Sequence, residues 1–365
     1  MTKSQYYERG WKLLKENKVA VVLVAGGQGS RLGHKGPKGT VNIGLPSQKS
    51  LFQLQAERLL NLSKRADTMI PWYVMTSENN DQETRKFFEQ NRYFGYDESF
   101  IQFFKQTSMP AITGEGKIML GSKSEITFAP NGNGGVFEAL HKSGMLADMQ
   151  QRGMKWIFFN NIDNALVRVA DPRFIGFADS MDAPVSSKSI RRSYPDEKVG
   201  VMCHVNDAPC VLEYSEIPAE LKKEESDNNT LILENANIGI HLFKLDFVLG
   251  TLGEELPYHF AHKKVPTLDA NGNQYSPERP NGYKLEKFYF DLFRKASHMS
   301  VLQVMREEEF APVKNKDGVD SVESAREMIL SLHRLWRLQA DPFYEGVSEV
   351  SPLVSYEGEA MPKRM

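Results

Sequence analysis

The sequence is short of cysteine, of net charge and of long apolar runs. Its 365 residues include two cysteines, Cys203 and Cys210, too few for a disulfide framework or a four-cysteine zinc site, and this predicts a reducing, cytoplasmic location. The 45 Lys and Arg residues nearly balance the 47 Asp and Glu residues, so no overall positive charge attracts nucleic acid or anionic lipid. The apolar run at residues 19–25 is too short for a signal or membrane-spanning segment. We expect neither a nucleic-acid nor a membrane partner, and the oligomeric state stays open.

A glycine-rich loop with basic residues follows this apolar run. Its spacing, Gly27-x-Gly29-x-x-x-Gly33, is one residue longer than the dinucleotide fingerprint, which disfavours a nicotinamide enzyme. No Gly-Lys-Ser/Thr follows, so the P-loop pattern fails as well. Backbone N–H groups, the guanidinium of Arg31 and the ammonium of Lys38 together suit a triphosphate. The alternative is a surface loop in which the glycines only allow turns.

Strand-like and helix-like segments alternate along the chain. This order predicts an α/β fold, a doubly wound mixed sheet of Rossmann-like type whose ligand crevice lies at the carboxyl ends of the strands. Turn residues near 315–320 divide a catalytic domain, residues 1–315, from a short C-terminal helical extension, residues 316–365. We predict strands at residues 19–25, 72–76, 100–105 and 156–160, added β segments at 199–205, 209–214 and 238–243, and helices at 50–64, 81–91, 136–150, 283–296 and 321–339.

The glycine loop and six later segments resemble one family. The run Ala25-Gly-Gly-Gln-Gly-Ser-Arg-Leu-Gly33 with Pro37-Lys-Gly39 is similar to the signature of the eukaryotic-type UDP-sugar pyrophosphorylases. The UDP-N-acetylhexosamine branch is indicated by further matches, in family order, at residues 102–111, 129–135, 163–176, 211–217, 281–288 and 308–315. The resemblance implies a nucleotidyltransferase fold of the GT-A-like type. Members of the family have a longer C-terminal domain than this sequence. It also implies magnesium-dependent conversion of UTP and a sugar 1-phosphate into a UDP-sugar and pyrophosphate.

Such a reaction requires cations rather than a nucleophile from the protein. The phosphate oxygen of the sugar phosphate attacks the α-phosphorus of UTP in line, so the protein aligns the substrates and stabilises negative charge. We assign Arg31 and Lys38 to the β- and γ-phosphates. By resemblance Lys284 is a further UTP-phosphate contact, and Lys314 holds the sugar phosphate near the α-phosphate. Either of these two lysines alone would also fit a solvated surface charge. The predicted catalytic residues are therefore Arg31, Lys38 and Lys314.

Asp163 is the predicted magnesium ligand. It follows a predicted strand, and Mg²⁺ usually takes one or two carboxylates together with substrate phosphate oxygens. The alternative is an aspartate that only closes a turn after the strand. No second carboxylate is evident, so we expect a site with one protein carboxylate, which also contacts UTP.

The resemblance also implies residues for uridine and for the sugar. By resemblance Gln106 contacts the uracil, and its amide suits a uracil edge, which offers both a donor and an acceptor. Without the resemblance, Gln106 would fit a surface position at a strand edge. Phe288 and Phe290, which the resemblance places near the sugar, would otherwise fit a helix core. The histidines at 141, 204 and 241 are taken as structural. The UTP contacts implied are Val24, Ala25, Gly26, Gly27, Gln106 and Gly132; the sugar-phosphate contacts implied are Asn133, Gly200, Glu213, Tyr214, Asn237, Phe288 and Phe290.

The sequence thus predicts a uridylyltransferase that makes UDP-N-acetylglucosamine or its galactosamine epimer. Within the same class, synthesis of UDP-glucose or of several UDP-sugars is the alternative. From other classes, a catalytically inactive UDP-sugar sensor and an NAD-linked oxidoreductase remain alternatives. The expected partners are small molecules: UTP, a sugar 1-phosphate, the UDP-sugar and pyrophosphate.

Overall fold

The computed structural model describes residues 1–225, 231–269, 271–346, 349–359 and 361. The helices in this part are α1 Lys3–Lys15, α2 Leu51–Ala66, α3 Asp81–Gln90, α4 Val136–Lys142, α5 Met145–Gln151, α6 Pro172–Met181, α7 Ala219–Lys222, α8 Leu245–Gly250, α9 Arg306–Glu309 and α10 Val322–Ala340. Short 3₁₀ helices cover Ser30–Leu32, Lys38–Thr40, Arg92–Gly95, Glu98–Phe100 and Tyr289–Lys295.

Nine of the strands in this part form one mixed sheet. They are β1 Val19–Val24, β2 Trp72–Thr76, β3 Ile101–Lys105, β8 Trp156–Asn161, β9 Val185–Arg191, β10 Val201–Val205, β11 Ala208–Leu212, β12 Asn235–Lys244 and β17 Met299–Gln303. Small two-stranded ribbons use β4 Ser108–Pro110, β5 Leu120–Ser122, β6 Glu125–Ile126, β7 Phe128–Pro130, β13 His259–Lys263, β14 Thr267–Leu268, β15 Gln274–Tyr275 and β16 Gly282–Glu286.

The order of the sheet places several strand ends at one edge. It runs β3-β2-β1-β8-β12-β9-β17, with the β10–β11 hairpin joined to the first half of β12. Strands β3, β2, β1 and β8 are parallel to one another, whereas β12 is antiparallel to both of its long neighbours. The loops after β1, β2, β3 and β8 therefore leave the same edge, where ligands bind in open α/β sheets.

Both faces of the sheet are covered, which explains the continuous apolar run of β1. Val19, Val21 and Leu23 belong to one apolar layer, with residues of α2, α6 and α10. Ala20 and Val22 belong to the opposite layer, with residues of α4, α5 and the 3₁₀ helix Tyr289–Lys295. A strand buried on both faces has no polar side to alternate with, so it reads as one hydrophobic run. The predicted α/β class with a doubly wound mixed sheet is confirmed.

Local signals explain the helix starts. Ser50 accepts a hydrogen bond from the backbone N–H of Gln53 at the start of α2, and Ser321 caps α10 in the same way. The helices α1 and α6 cross closely because Gly10 faces the backbone of Pro172, where any Cβ would overlap the Pro172 carbonyl.

Two predicted helices differ from the structure. The helix predicted at residues 283–296 is wrong: β16 pairs with β13 there, and a 3₁₀ helix follows it. The helix predicted at 136–150 is divided into α4 and α5 because Gly144 has a φ of 79° and interrupts the helical hydrogen bonding. The division at residue 315 stays a prediction, and residues 347–348, 360 and 362–365 of the C-terminal segment lie outside the described residues.

Candidate active site

The glycine loop after β1 folds back on itself. The backbone N–H of Lys38 donates to the carbonyl oxygen of Gly27 across 3.0 Å, and that of Gly29 donates to Gly36 across 2.9 Å. Gly33 and Gly36 have φ values of 72° and 118°, which only glycine adopts without strain. These bonds return the chain to the edge of the sheet and hold Lys38 beside the end of β1.

Asn80 anchors this loop from the connection between β2 and α3. Its side-chain Nδ2 donates to the carbonyl oxygen of Ala25 across 2.9 Å and to that of Gly27 across 3.3 Å. Its Oδ1 accepts from the backbone N–H of Ser77 across 2.8 Å. Asn80 is buried, and the sequence analysis missed it. The only signal was an asparagine placed between the end of β2 and the start of α3.

Charges gather around Lys38. Burial lowers the pKa of the Lys38 ammonium below its usual value, and the Asp163 carboxylate opposes that change. The positive charges of Lys314 and Arg31 lower the pKa of Lys38 further. The other two predicted catalytic residues and the predicted metal ligand therefore all lie within electrostatic range of Lys38. Three cations and one carboxylate leave an excess of positive charge that a polyphosphate would neutralise.

Lys314 reaches this group through backbone pairing with the end of β8. The Asn164 side chain donates to the carbonyl oxygen of Glu309 across 2.7 Å and accepts from the N–H of Ala311 across 2.9 Å. The N–H of Val313 donates to the Asp163 carbonyl oxygen across 2.8 Å. The Nζ of Lys314 itself lies 3.6 Å from the carboxylate of Asp320. The segment before Lys314 is thus fixed against the loop that carries Asp163.

The predicted uridine residues meet at the ends of β1 and β3. Gln106 is buried, and its backbone N–H donates to the carbonyl oxygen of Thr76 across 2.8 Å. A Cβ at Gly26 would lie 2.8 Å from Nε2 of Gln106, so the absence of a side chain at Gly26 leaves room for that amide. Val24 ends β1, and Ala25 follows it. The fold therefore brings Gly26 and Gln106 together.

The second glycine-rich loop packs against the end of β16. The N–H of Gly134 donates to the carbonyl oxygen of Lys287 across 2.7 Å, and the N–H of Lys287 donates to Asn131 across 2.7 Å. Gly132 has a φ of 76°, and a Cβ there would overlap the Lys287 carbonyl. The side-chain oxygen of Asn133 accepts from the backbone N–H of Tyr289 across 3.4 Å.

Three of the predicted sugar residues lie just before β10, just after β11 and on β12. The N–H of Asn237 donates to the carbonyl oxygen of Gly200 across 2.8 Å, and a Cβ at Gly200 would lie 3.3 Å from Oε1 of Glu213. Burial raises the pKa of the Glu213 carboxyl, Glu216 raises it further, and His259 and Lys314 lower it. Because Lys314 also acts on Lys38, it links the phosphate end to the sugar end.

Two aromatic residues and one lysine have different surroundings. The rings of Phe288 and Phe290 stack, with centroids 4.9 Å apart, and Phe290 is buried in the apolar layer, as its helix-core alternative also implied. Tyr214 is 43% exposed. Lys284 lies on β16, paired with Ala261, and is not among the charges that shift the pKa of Lys38. The predicted contact of Lys284 with a UTP phosphate therefore has no support from the charges that act on Lys38.

Tyr289 was missed as a polar residue of the site. Its ring lies in the core, but its hydroxyl is 2.8 Å from Nε2 of His241. Burial raises the pKa of the Tyr289 hydroxyl, and the charges of Glu213 and Asp163 raise it further. The hydroxyl therefore lies near both ends of the site. Only the fold shows this.

A metal site made of protein ligands alone is absent from the described residues, since no three or more His, Cys, Asp and Glu side chains are grouped suitably there. Asp163 is the carboxylate that acts on Lys38. In the described part, no helix is both long and apolar enough to cross a membrane.

The comparisons with known proteins agree with this geometry. Residues 4–357 match the family described as UTP–glucose-1-phosphate uridylyltransferase. The chain belongs to this family. The resemblance drawn from the glycine loop is thereby confirmed. The individual site residues remain predictions, since no ligand contact tests them.

Three relatives show how far the similarity extends. A human UDP-N-acetylhexosamine pyrophosphorylase-like protein 1 is 40% identical over 99% of this chain and 77% of its own length. A crystal structure of a candidate UDP-N-acetylglucosamine pyrophosphorylase from Entamoeba histolytica has a TM-score of 0.92 at 33% identity, over 98% of this chain and 92% of that one. The Trypanosoma brucei UDP-N-acetylglucosamine pyrophosphorylase, crystallised with an inhibitor, has a TM-score of 0.88 at 34% identity. The match covers 98% of this chain and 77% of that one.

Proposed function

We propose that this chain transfers a uridylyl group from UTP to a sugar 1-phosphate, giving a UDP-sugar and pyrophosphate. The observation that carries the proposal is the group of Arg31, Lys314 and Asp163 around Lys38, in the glycine-rich loop at the carboxyl end of β1. The named relatives are N-acetylglucosamine and N-acetylhexosamine enzymes, which favours N-acetylglucosamine or N-acetylgalactosamine 1-phosphate as the substrate here.

The arrangement suits in-line attack by the sugar phosphate on the α-phosphorus of UTP. Lys38 and Arg31 would bind the β- and γ-phosphates and stabilise the charge that develops on the leaving pyrophosphate. Lys314 acts electrostatically on both Lys38 and Glu213, so it lies between the two substrate ends. From there it would hold the sugar phosphate against the α-phosphate, which is alignment rather than covalent catalysis.

Asp163 fits the role of a single magnesium-binding carboxylate. Mg²⁺ keeps several waters and is commonly held by one or two carboxylates together with substrate phosphates, so a site without a protein cage is the expected form. The Asp163 carboxylate acts on the Lys38 ammonium, and the described residues hold no group of three metal-ligating side chains. When bound, the ion would neutralise charge on the phosphate oxygens of UTP.

The remaining contacts of the proposal follow the predicted sets. For UTP they are Val24, Ala25, Gly26, Gly27, Gln106, Gly132 and Lys284; for the sugar phosphate they are Asn133, Gly200, Glu213, Tyr214, Asn237, Phe288 and Phe290. The close fit of Gly26 to Gln106 supports the first set, and the Gly200–Glu213–Asn237 contacts support the second. Lys284 and the exposed Tyr214 have the least support.

A substrate panel tests the proposal. The purified chain with Mg²⁺ and UTP is given the 1-phosphates of N-acetylglucosamine, N-acetylgalactosamine, glucose or galactose, and both pyrophosphate and UDP-sugar are measured. We expect the fastest turnover with an N-acetylhexosamine. Fastest turnover with glucose 1-phosphate supports UDP-glucose synthesis instead, and similar rates with all four indicate broad specificity. UDP-sugar binding without any pyrophosphate release indicates a sensor and overturns the enzyme proposal.

A cytoplasmic location is part of the same proposal. Cys203 and Cys210 are opposite one another on β10 and β11, with sulfur atoms 3.2 Å apart, and both are free thiols. Thiols in such contact persist where glutathione and thioredoxin keep the environment reducing. Cell fractionation followed by thiol labelling tests the location: recovery in a secreted or membrane fraction contradicts it.

A further inference from the structure

A chain of buried polar side chains runs from the interior of the sheet to the site. Ser187 lies on β9, His241 on β12, and Tyr289 begins the 3₁₀ helix Tyr289–Lys295. Oγ of Ser187 is 2.6 Å from Nδ1 of His241, and Nε2 of His241 is 2.8 Å from the hydroxyl oxygen of Tyr289. All three side chains are almost wholly buried, so every polar atom among them needs a partner.

The Tyr289 hydroxyl lies where the sugar end and the phosphate end of the site meet. The side chain of Asn237 lies close enough to lower the pKa of this hydroxyl, while burial and the carboxylates of Glu213 and Asp163 raise it. Its backbone N–H also bonds to the side chain of Asn133. The ring packs against Phe159, with centroids 4.5 Å apart, and this fixes where the hydroxyl lies.

The proton of His241 can be placed by counting donors. Burial lowers the pKa of His241 to about 3, so the ring is neutral and carries one N–H. In the described part of the chain, the Ser187 hydroxyl has Nδ1 of His241 as its one side-chain partner. Either direction of the network leaves one hydroxyl proton without a protein acceptor, that of Ser187 inside the sheet or that of Tyr289 beside the site. Only beside the site can a ligand supply the missing acceptor, so Ser187 donates and Nδ1 accepts. The ring proton is therefore on Nε2, and it is donated to the Tyr289 oxygen.

The side chain of Asn237 is a second polar group beside the same oxygen. The side-chain Oδ1 of Asn237 accepts from the backbone N–H of Gly239 across 2.9 Å, so its amide nitrogen is the end that faces Tyr289. The N–H of His241 and the amide of Asn237 then both face the Tyr289 oxygen. Its own O–H is left to donate away from both.

We propose that the Tyr289 hydroxyl donates a hydrogen bond to an oxygen of the hexose of the bound sugar phosphate, with Ser187 and His241 as positioning residues that fix its direction. The inference rests on the proposed function and adds a sugar contact to it. A hexose hydroxyl or acetamido carbonyl supplies the acceptor that this buried O–H lacks in the described residues. Because the ring is rigid and buried, this contact would select sugars by where they place that oxygen.

Calorimetric titration with UDP and with UDP-N-acetylglucosamine tests the contact. We expect Tyr289→Phe to raise the Kd for UDP-N-acetylglucosamine about five- to tenfold, the usual loss for one hydrogen bond, and to leave the Kd for UDP unchanged. Tyr96→Phe is the matched control, since this buried hydroxyl donates to the Ile70 carbonyl oxygen across 2.6 Å and lies outside the site. It should change neither Kd.

The outcomes separate this inference from the proposed function. A wild-type chain that binds UDP-N-acetylglucosamine no more tightly than UDP overturns the proposed function. Tighter wild-type binding of the UDP-sugar, with Tyr289→Phe weakening both ligands equally or neither, overturns the Tyr289 contact alone.

Nitrogen-15 NMR of the histidine rings tests the positioning step without activity. In the wild-type chain we expect the His241 proton on Nε2, with the signal assigned by its absence from His241→Gln. A proton on Nδ1 overturns the proposed direction of the network. Ser187→Ala removes the donor to Nδ1, and we expect weaker UDP-N-acetylglucosamine binding with unchanged UDP binding. Ser187→Thr keeps the hydroxyl and should restore binding; equal losses from both variants indicate a packing role and overturn the positioning role.

Discussion

The backbone N–H of Val313 donates to the carbonyl oxygen of Asp163 across 2.8 Å. This bond joins the loop after β8 to a segment that follows far later in the chain. Lys314 is the next residue after Val313, so the pairing that fixes the carboxylate loop also delivers a cation to it. The proposed magnesium ligand and the proposed sugar-phosphate ligand are therefore positioned by one piece of backbone structure.

Removal of the Lys38 ammonium should reduce turnover more than it affects the fold. We expect Lys38→Ala to lower kcat by about 10²- to 10³-fold, because the cation stabilises charge on the leaving pyrophosphate. Lys35→Ala is the matched control, since Lys35 is an exposed lysine of the same loop. Steady-state kinetics with saturating UTP, and circular dichroism for folding, make the comparison. Near-normal kcat in Lys38→Ala contradicts the assigned role.

A methyl group at Gly26 should impair UTP binding through Gln106. The added Cβ would lie 2.8 Å from Nε2 of Gln106 and 2.9 Å from its amide carbon, so the amide must move from its buried position. We expect the KM for UTP to rise about tenfold or more in Gly26→Ala, as expected for the loss of a base contact. Gly114→Ala is the control, because a Cβ there meets no atom within 4 Å. An unchanged KM for UTP argues against uracil recognition by Gln106.

Loss of the Asn80 side chain should loosen the glycine loop. Asn80→Ala removes the donor to the carbonyl oxygens of Ala25 and Gly27, and we expect about 1–2 kcal/mol of destabilisation with weaker UTP binding. Asn79→Ala is the control. Asn79 is exposed, and the substitution keeps its backbone oxygen, which accepts a hydrogen bond from Gln28. Thermal unfolding and UTP titration of both variants test the prediction. Equal behaviour of the two variants rules out an anchoring role for Asn80.

The sequence is informative where structure is local and less so where it depends on distant pairing. The strand at Trp72–Thr76 is predicted to the residue, because its apolar run is bounded by clear breaks. The apolar spacing at Leu285, Phe288 and Leu292 fits a helix, yet pairing with β13 makes the first part a strand. The polar strand β9 gave no signal, because its buried Ser187 and similar residues are satisfied by partners far away in sequence.

The candidate site divides in the same way. Arg31, Lys38 and Gly26 belong to one contiguous motif whose chemistry can be read directly. Asn80 and Tyr289 act through contacts between separate strands, and no spacing in the sequence connects them to the residues they touch. Contacts of that kind become visible only when the order of the strands in the sheet is known.

The Glu213 carboxyl should make stability fall as pH rises. Burial raises its pKa in the folded chain, and Glu216 adds to this, so the folded state binds a proton more readily than the unfolded state. Stability from this group is therefore full below the ordinary glutamate pKa and lost as pH rises through the raised value. We expect Glu213→Gln to raise the Tm at pH 7 to 8, with the difference vanishing in acid. The exposed Glu125→Gln is the control; a Tm gain that persists at low pH contradicts the assignment.

Lys188 should be the most costly single lysine to remove. Its ammonium is wholly buried on β9 between the carboxylates of Asp171, 2.6 Å away, and Glu309, which are also wholly buried. In Lys188→Met both carboxylates lose their central cation, and breaking a buried ion pair in this way costs about 3–5 kcal/mol. Lys244→Met, which removes the partner of the exposed Asp182, should change stability little. Denaturant unfolding of the two variants tests this prediction. Equal stability would mean that other side chains around Lys188 compensate the lost positive charge. Because Glu309 also accepts from Asn164 at the start of the segment leading to Lys314, residual folded Lys188→Met should also show a lower kcat than Lys244→Met.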